Sequence, residues 1–172
     1  NFPIFLDSVR KTIEMGLIKK EKLRINFYGR YISKLQELIE DFDLSDCVFQ
    51  NGTVNRKDSF DLQQKADLLL FFNWEGSEGG LSHLKLYEYL GSMNPIFVVG
   101  TKIDSTNQKI VESTNSGFIG IGGNQISNIL VDLYNKHING SGIPFEPNMT
   151  EIKKHSYYER GKILRNLLFS IK

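Results

Sequence analysis

Residues 66–72 read Ala-Asp-Leu-Leu-Leu-Phe-Phe, a strand-length segment whose last five positions are all apolar. A strand with no polar face to offer water must be covered on both sides, as happens when a parallel sheet carries helices on both faces. Pro95 to Val99 repeats the pattern. Around these two segments, short apolar runs alternate with stretches of helical period. The runs Leu23–Tyr28, Cys47–Gln50 and Gly117–Ile121 complete a set of five predicted strands. Helices are predicted over Pro3–Leu17, with Met15 and Leu17 among its apolar set, and over Tyr31–Phe42 and Arg56–Lys65, the last with Phe60 and Leu62 turned inward. Further helices are predicted over Leu81–Ser92, Ser105–Asn115, Asn124–His137 and Tyr157–Ile171. Strands alternating with helices imply an α/β fold, a doubly wound parallel sheet with right-handed crossovers. Residues 139–150, broken by Gly140, Gly142, Pro144 and Pro147, read as a loop, and 156–172 as a closing helix. With no repeat or composition shift inside it, 1–172 reads as one domain.

Charge narrows the function classes. Twenty-one basic residues against 20 acidic ones leave a net charge of +1, no footprint for nucleic acid or anionic lipid. Cys47 is the single cysteine, placed before Val48 and Phe49 as a core residue, so no internal disulfide is available. No apolar run approaches the ~18 residues that span a bilayer, and no signal-peptide pattern opens the chain. The expectation is a cytoplasmic protein, and the sequons at Asn51, Asn139 and Asn148 read as chance. His137 and His155 lack companions at metal-ligand spacing, so no metal site is expected. Neither the P-loop pattern nor G-x-G-x-x-G occurs.

In doubly wound sheets ligands bind beyond the carboxyl ends of the strands. The connection after Phe72 runs Asn73-Trp74-Glu75-Gly76-Ser77-Glu78-Gly79-Gly80 and enters a helix at Leu81-Ser82-His83. Its glycines let backbone approach a ligand, and the helix start offers unpaired N–H groups and a positive dipole end, a combination suited to a diphosphate. The competing reading is a plain glycine-rich connection. Trp74 suits either stacking on a sugar or base or packing beneath the loop, and His83 either reaches phosphate or is incidental. Lys85 and Glu88, three residues apart, share a face of the following helix. Lysine there can neutralise phosphate while the carboxylate accepts from ribose hydroxyls; the alternative is a solvated pair.

The stretch Lys85-Leu86-Tyr87-Glu88-Tyr89-Leu90-Gly91-Ser92-Met93-Asn94-Pro95-Ile96 resembles the K-x-x-E-Y-L-x-x-x-x-P-I segment of GT-B glycosyltransferases, especially those similar to family 4. In order along the chain, Leu23–Gly29, Val48–Val54, Ala66–Leu70 and Ser116–Phe118 resemble other pieces of the nucleotide-sugar-binding C-terminal domain of that family, so the likeness covers roughly 3–138.

The resemblance implies a Rossmann-like half of a GT-B fold that binds a nucleotide diphosphate sugar and transfers its sugar to a glycan or lipid-linked acceptor. It implies a second, N-terminal acceptor-binding domain as partner, no cofactor or metal, and a retaining hexosyl transfer in bacterial polysaccharide biosynthesis. Peripheral attachment at the inner face of the membrane would belong to the full-length protein. Donor contacts fall at Arg30, Val54, Gly79, Gly80, Leu81, Ser82, Lys85 and Glu88, with Glu88 on the ribose and Asn55 beside Val54 near the base. An exposed loop arginine is the other reading of Arg30. Many members carry a glutamate eight positions before the ribose glutamate, where Gly80 stands here; Glu75 and Glu78 are the substitutes at hand. The family domain opens on a central strand and a glycine-bearing loop, whereas this chain opens at Asn1-Phe2-Pro3 within the next helix. The sheet is therefore expected to lack its first strand, whether trimmed, disordered or supplied from elsewhere, and the isolated chain to be inactive. A nucleotide-sugar epimerase of the same fold and a non-catalytic binding or assembly module remain the alternatives.

Overall fold

A computed structural model of the chain describes residues 1–73, 84–100 and 106–170. In chain order these form α1 (Phe2–Glu14), β1 (Ile25–Phe27), α2 (Ser33–Asp41), β2 (Val48–Gln50), α3 (Arg56–Lys65), β3 (Leu69–Phe72), α4 (Leu84–Ser92), β4 (Ile96–Gly100), α5 (Thr106–Ser113), β5 (Gly117–Ile121), α6 (Gly122–Ile138), α7 (Met149–Lys154) and α8 (Tyr157–Ser170). All strand pairs are parallel, as the apolar runs require: β1 with β2, and β3-β4-β5 in that order.

β4 is the centre of the molecule. Each of its residues is buried, and successive side chains go to opposite faces. Phe97 and Val99 join Phe5, Leu6 and Val9 of α1, Leu35 and Ile39 of α2, and Ile126 and Leu130 of α6 on one face. Ile96 and Val98 join Phe71 of β3, Leu86 and Leu90 of α4, and Ile110 and Val111 of α5 on the other. Two-sided burial of an all-apolar strand thus produces the doubly wound arrangement. Cys47 lies fully inside the first of these cores.

Two glycines hold β5 against its neighbours. A Cβ on Gly117 would fall 1.8 Å from the Ile96 carbonyl oxygen, and one on Gly120 would meet Ile126 Cγ1 and Phe97 Cε2 at 2.9 Å. On the same side Ser8 Oγ of α1 donates to the Ile4 carbonyl at 2.7 Å, with the Gly123 carbonyl of α6 at 3.3 Å.

β1 and β3 are not paired to each other. In β3 the amides of Leu69 and Asn73 donate to Pro95 and Val99, so by alternation those of Leu70 and Phe72 point away from β4. In β1 the amides of Ile25 and Gly29 donate to Cys47 and Gly52, which turns Asn26 and Tyr28 away from β2. No other described strand meets these two edges. They flank the place where the family resemblance implies a middle strand. Side chains join the halves instead: Phe2 packs edge-on against Phe27 and Phe72 with ring centres 5.7 and 4.5 Å away, and Phe27 stacks on Phe72 at 6.0 Å.

Several local expectations are corrected. Met15 and Leu17 are exposed, because α1 stops at Glu14. Gly16, at φ +70°, closes the helix, its N–H donating to Ile13 while that of Leu17 donates to Thr12, and the chain returns to the core only at Ile18. Phe60 is exposed too, while Gln63 of the same helix is buried. The segment read as loop through residue 150 ends in a helix: Asn148 Oδ1 accepts from the Thr150 and Glu151 amides at 3.2 Å and starts α7, whose Ile152 packs against the α4–α5 core. Finally, α8 forms where the closing helix was expected but has no buried residue.

Candidate functional site

The carboxyl ends of β1 and β2 are tied by the Gly29 N–H, which donates to the Gly52 carbonyl at 2.8 Å. Both glycines have positive φ, +144° and +75°, values that a side chain would resist. Arg30 follows the first and Val54 stands two residues past the second, so the turns place both at one edge of the β1–β2 pair, each exposed. Asn55 next to Val54 is committed locally. Its Oδ1 accepts from the Asp58 amide at 2.9 Å and its Nδ2 donates to Asp58 Oδ2 at 2.7 Å, which caps α3.

Phe27 and Phe72, each the last residue of its strand, stack on each other, so the carboxyl ends of β1 and β3 lie close together. Beyond β3 comes α4. Its Lys85 Nζ donates to Glu88 Oε2 at 2.9 Å, and the same ammonium sits 5.3 Å from the ring centre of Tyr89. Both members of the pair are about half exposed. They stand on one helix face as their spacing predicts, open to solvent and not locked in the core. Burial, reinforced by the Glu88 charge, pushes the Tyr89 phenol up to about 12. Lys85 is therefore held between a carboxylate and a neutral aromatic ring.

Glu75, Glu78, Gly79, Gly80, Leu81 and Ser82, together with Trp74 and His83, lie outside the described residues. Of the remaining candidates, Lys85 and Glu88 are paired on α4, while Arg30 and Val54 follow the hydrogen-bonded Gly29 and Gly52 on the other side of the β1–β3 division.

Sequence reasoning missed a buried amide group at this end of the sheet. Asn73 follows β3 directly and Asn107 lies in the first turn of α5; both are buried, with Asn107 Nδ2 donating to Asn73 Oδ1 at 3.0 Å. Asn1 Nδ2 donates to the Asn73 carbonyl, which brings the start of α1 to the same point. Gln108 is buried beside them, near Gly100. The available signal was a polar residue closing an otherwise apolar strand. These amides fix the root of the connection that follows β3. Among the described residues no group of three His, Cys, Asp or Glu side chains is placed to hold a metal ion. No described helix is long and apolar enough to cross a membrane.

No family model and no curated protein matches the chain in sequence. In three dimensions it is similar to Anabaena Alr3699/HepE, a protein solved in complex with UDP and glucose, with a TM-score of 0.72 at 14% identity. The match takes in 98% of this chain and 44% of that one. The chain has the fold of a GT-B half. It spans less than half the length of the neighbour, and at this identity the likeness concerns architecture.

Proposed function

We propose that this chain is the nucleotide-sugar-binding half of a glycosyltransferase similar to family 4. In this reading Glu88 accepts from the ribose hydroxyls, Lys85 offsets diphosphate charge, and Arg30 and Val54 border the donor from the β1–β2 side. Gly79, Gly80, Leu81 and Ser82 meet the phosphates or the sugar, and Glu75 or Glu78 takes the place of the absent family glutamate. The observation that carries it is the exposed Lys85–Glu88 pair on α4, the helix that follows β3, in a fold whose solved neighbour was crystallised with UDP and glucose.

The chemistry asked of such a site is stabilisation of a leaving group. The bond from the sugar anomeric carbon to the diphosphate breaks with its electron pair passing to the diphosphate oxygen, while the acceptor hydroxyl bonds to the carbon and loses its proton. Helix-end amides and basic groups fixed where that charge develops lower the barrier. A hexosyl donor, retention at the anomeric carbon and a glycan or lipid-linked acceptor held by a second, N-terminal domain complete the proposal. The isolated chain would then bind donor without turning it over.

NMR titration of the chain with UDP, GDP and ADP, beside Glu88→Ala, tests this. Perturbation by one nucleotide at Lys85–Glu88 and Arg30–Val54, weakened in the variant, supports the reading and identifies the base. Absence of binding by the longer protein at millimolar nucleotide overturns it. Binding by the longer protein without sugar turnover would make the chain a non-catalytic module.

A further inference from the structure

α7 and α8 meet at His155 and Ser156, and the junction rests on one ring of α4. The His155 amide ends α7 by donating to the Ile152 carbonyl at 3.0 Å, and Ser156 Oγ accepts from the Glu159 amide at 3.2 Å to start α8. Ile152 packs into the core between α4 and α5, which seats α7. α8 buries none of its residues. It is joined to α4 through Arg160, whose Nη2 donates to the Tyr87 hydroxyl at 2.7 Å and whose guanidinium lies 4.6 Å from the Tyr87 ring centre. The His155 ring lies against the same tyrosine, with ring centres 5.8 Å apart and planes tilted by 32°. One phenol ring therefore carries an imidazole from the end of α7 and a guanidinium from the first turn of α8.

Imidazole is the side chain whose charge ordinarily changes near neutral pH. The groups that face His155 are the Tyr87 phenol from α4, Glu151 and Lys154 from α7, and Arg160 from α8. Burial first, then the Arg160 charge, hold the imidazole below its ordinary value of 6.5, with Lys154 acting the same way and Glu151 against it. Glu151 is already paired with Lys154, and Glu159 of α8 with Lys162 at 2.8 Å. Among these groups, a proton on His155 makes a second cation at the Tyr87 ring with both carboxylates already engaged by lysines. Any state in which His155 leaves Tyr87 restores its ordinary affinity for the proton, so acid favours that state. The contribution of the contact is fully present above pH 6.5 and is lost as pH falls through the lower value that holds in the fold.

We propose that His155, Arg160 and Tyr87 form an acid-sensitive latch: the neutral imidazole lets the α7–α8 junction close on α4, and protonation beside the Arg160 guanidinium releases α8 from Tyr87. His155 and Arg160 belong to neither core, so acid frees α8 while β4 keeps its packing. Tyr87 stands between Lys85 and Glu88 in α4, which places the release at the helix of the candidate donor pair. The latch itself is independent of nucleotide binding.

Hydrogen exchange of amides 161–166 in this chain tests it, with the intrinsic pH dependence of exchange divided out. Protection is expected to fall at least about threefold between about pH 7.5 and about pH 5.5, while that of Phe97–Val99 in β4 is unchanged. His155→Phe keeps a ring against Tyr87 and cannot take the proton, so its protection should be the same at both pH values. Arg160→Gln can still donate to the phenol but lacks the charge, and its fall should be smaller than that of the wild type. Should His155→Phe fail to fold, lost protection in β4 reveals it, and a fall in Arg160→Gln as large as the wild type's then overturns the proposal. So does the absence of a fall in the wild type, or an equal fall in a folded His155→Phe. Protection that rises toward acid also sinks it, since the imidazolium would then grip the ring more tightly. No nucleotide enters the measurement, so its failure leaves the donor reading untouched, and failure of nucleotide binding leaves the latch standing.

Discussion

α6 and α8 carry similar apolar content at helical spacing and meet opposite fates. α6 lies across β4 and β5 with Ile126, Leu130 and Leu133 buried and α1 packed beside it. α8 shows every residue to solvent and is joined to α4 through one arginine and one tyrosine. The difference is in the surroundings. For α6, Gly120 is small enough to let the helix approach the sheet. α8 has no such surface facing it among the described residues. Hydrophobic period thus specifies that a helix has a face to hide, while the location of the surface that hides it is a property of the rest of the molecule.

Four changes would break or sharpen this contrast. Ile126→Ala, at a fully buried position of α6, is expected to cost about 2–5 kcal/mol in urea unfolding of this chain, the range for a large-to-small change in a core. Loss below about 1 kcal/mol would mean that α6 is not the core helix described.

Next in size is a pH effect at the margin, on α4. The Tyr89 phenol is raised from an ordinary value of 10.0 to about 12 by burial and the Glu88 charge. The neutral form is favoured in the folded chain, so this contribution is fully present below pH 10 and is lost as pH rises through about 12. Unfolding followed across that window should show a fall on the order of 2–3 kcal/mol attributable to this group. Tyr89→Phe should flatten that part of the profile, and an unchanged slope would count against the buried phenol.

Gly120→Ala presses a methyl group to 2.9 Å from Ile126 and Phe97, so a loss of about 1–3 kcal/mol is expected as α6 is pushed off the sheet. Leu167→Ala in α8 should change the stability of this chain by less than about 0.5 kcal/mol, because the side chain is 58% exposed. A cost like that of Ile126→Ala would show that α8 is already packed.

Much of the architecture was legible because all-apolar strands have few places to go. Gly117–Ile121 and Arg56–Lys65 begin and end where the residues predict, since Asn55 caps one helix and glycine punctuates the other segment. Where the reading failed, a local signal lost to a tertiary one. Phe60 is apolar, but Gln63 is the residue of α3 that the fold buries, donating through Nε2 to Ser59. α7 was hidden behind Pro144 and Pro147 even though Asn148 and Glu151 carry a helix-start spacing. At the candidate site the spacing of Lys85 and Glu88 gave their shared face, and no spacing could reveal that Asn73 and Asn107, 34 residues apart, hydrogen-bond to each other.

The division between β1 and β3 is a plane that no described ladder bond crosses. The core does cross it: Phe5, Leu6 and Val9 of α1 pack with Leu35 and Ile39 on one side and with Phe97 and Val99 on the other, Phe2 meets both Phe27 and Phe72, and Asn1 donates to the Asn73 carbonyl. Arg30 and Val54 ride on one block and Lys85 and Glu88 on the other. Any ligand that grips both blocks would act as a rivet through that plane. Its binding free energy would then reappear as resistance to shear, measurable as a slower opening of the Phe27–Phe72 stack.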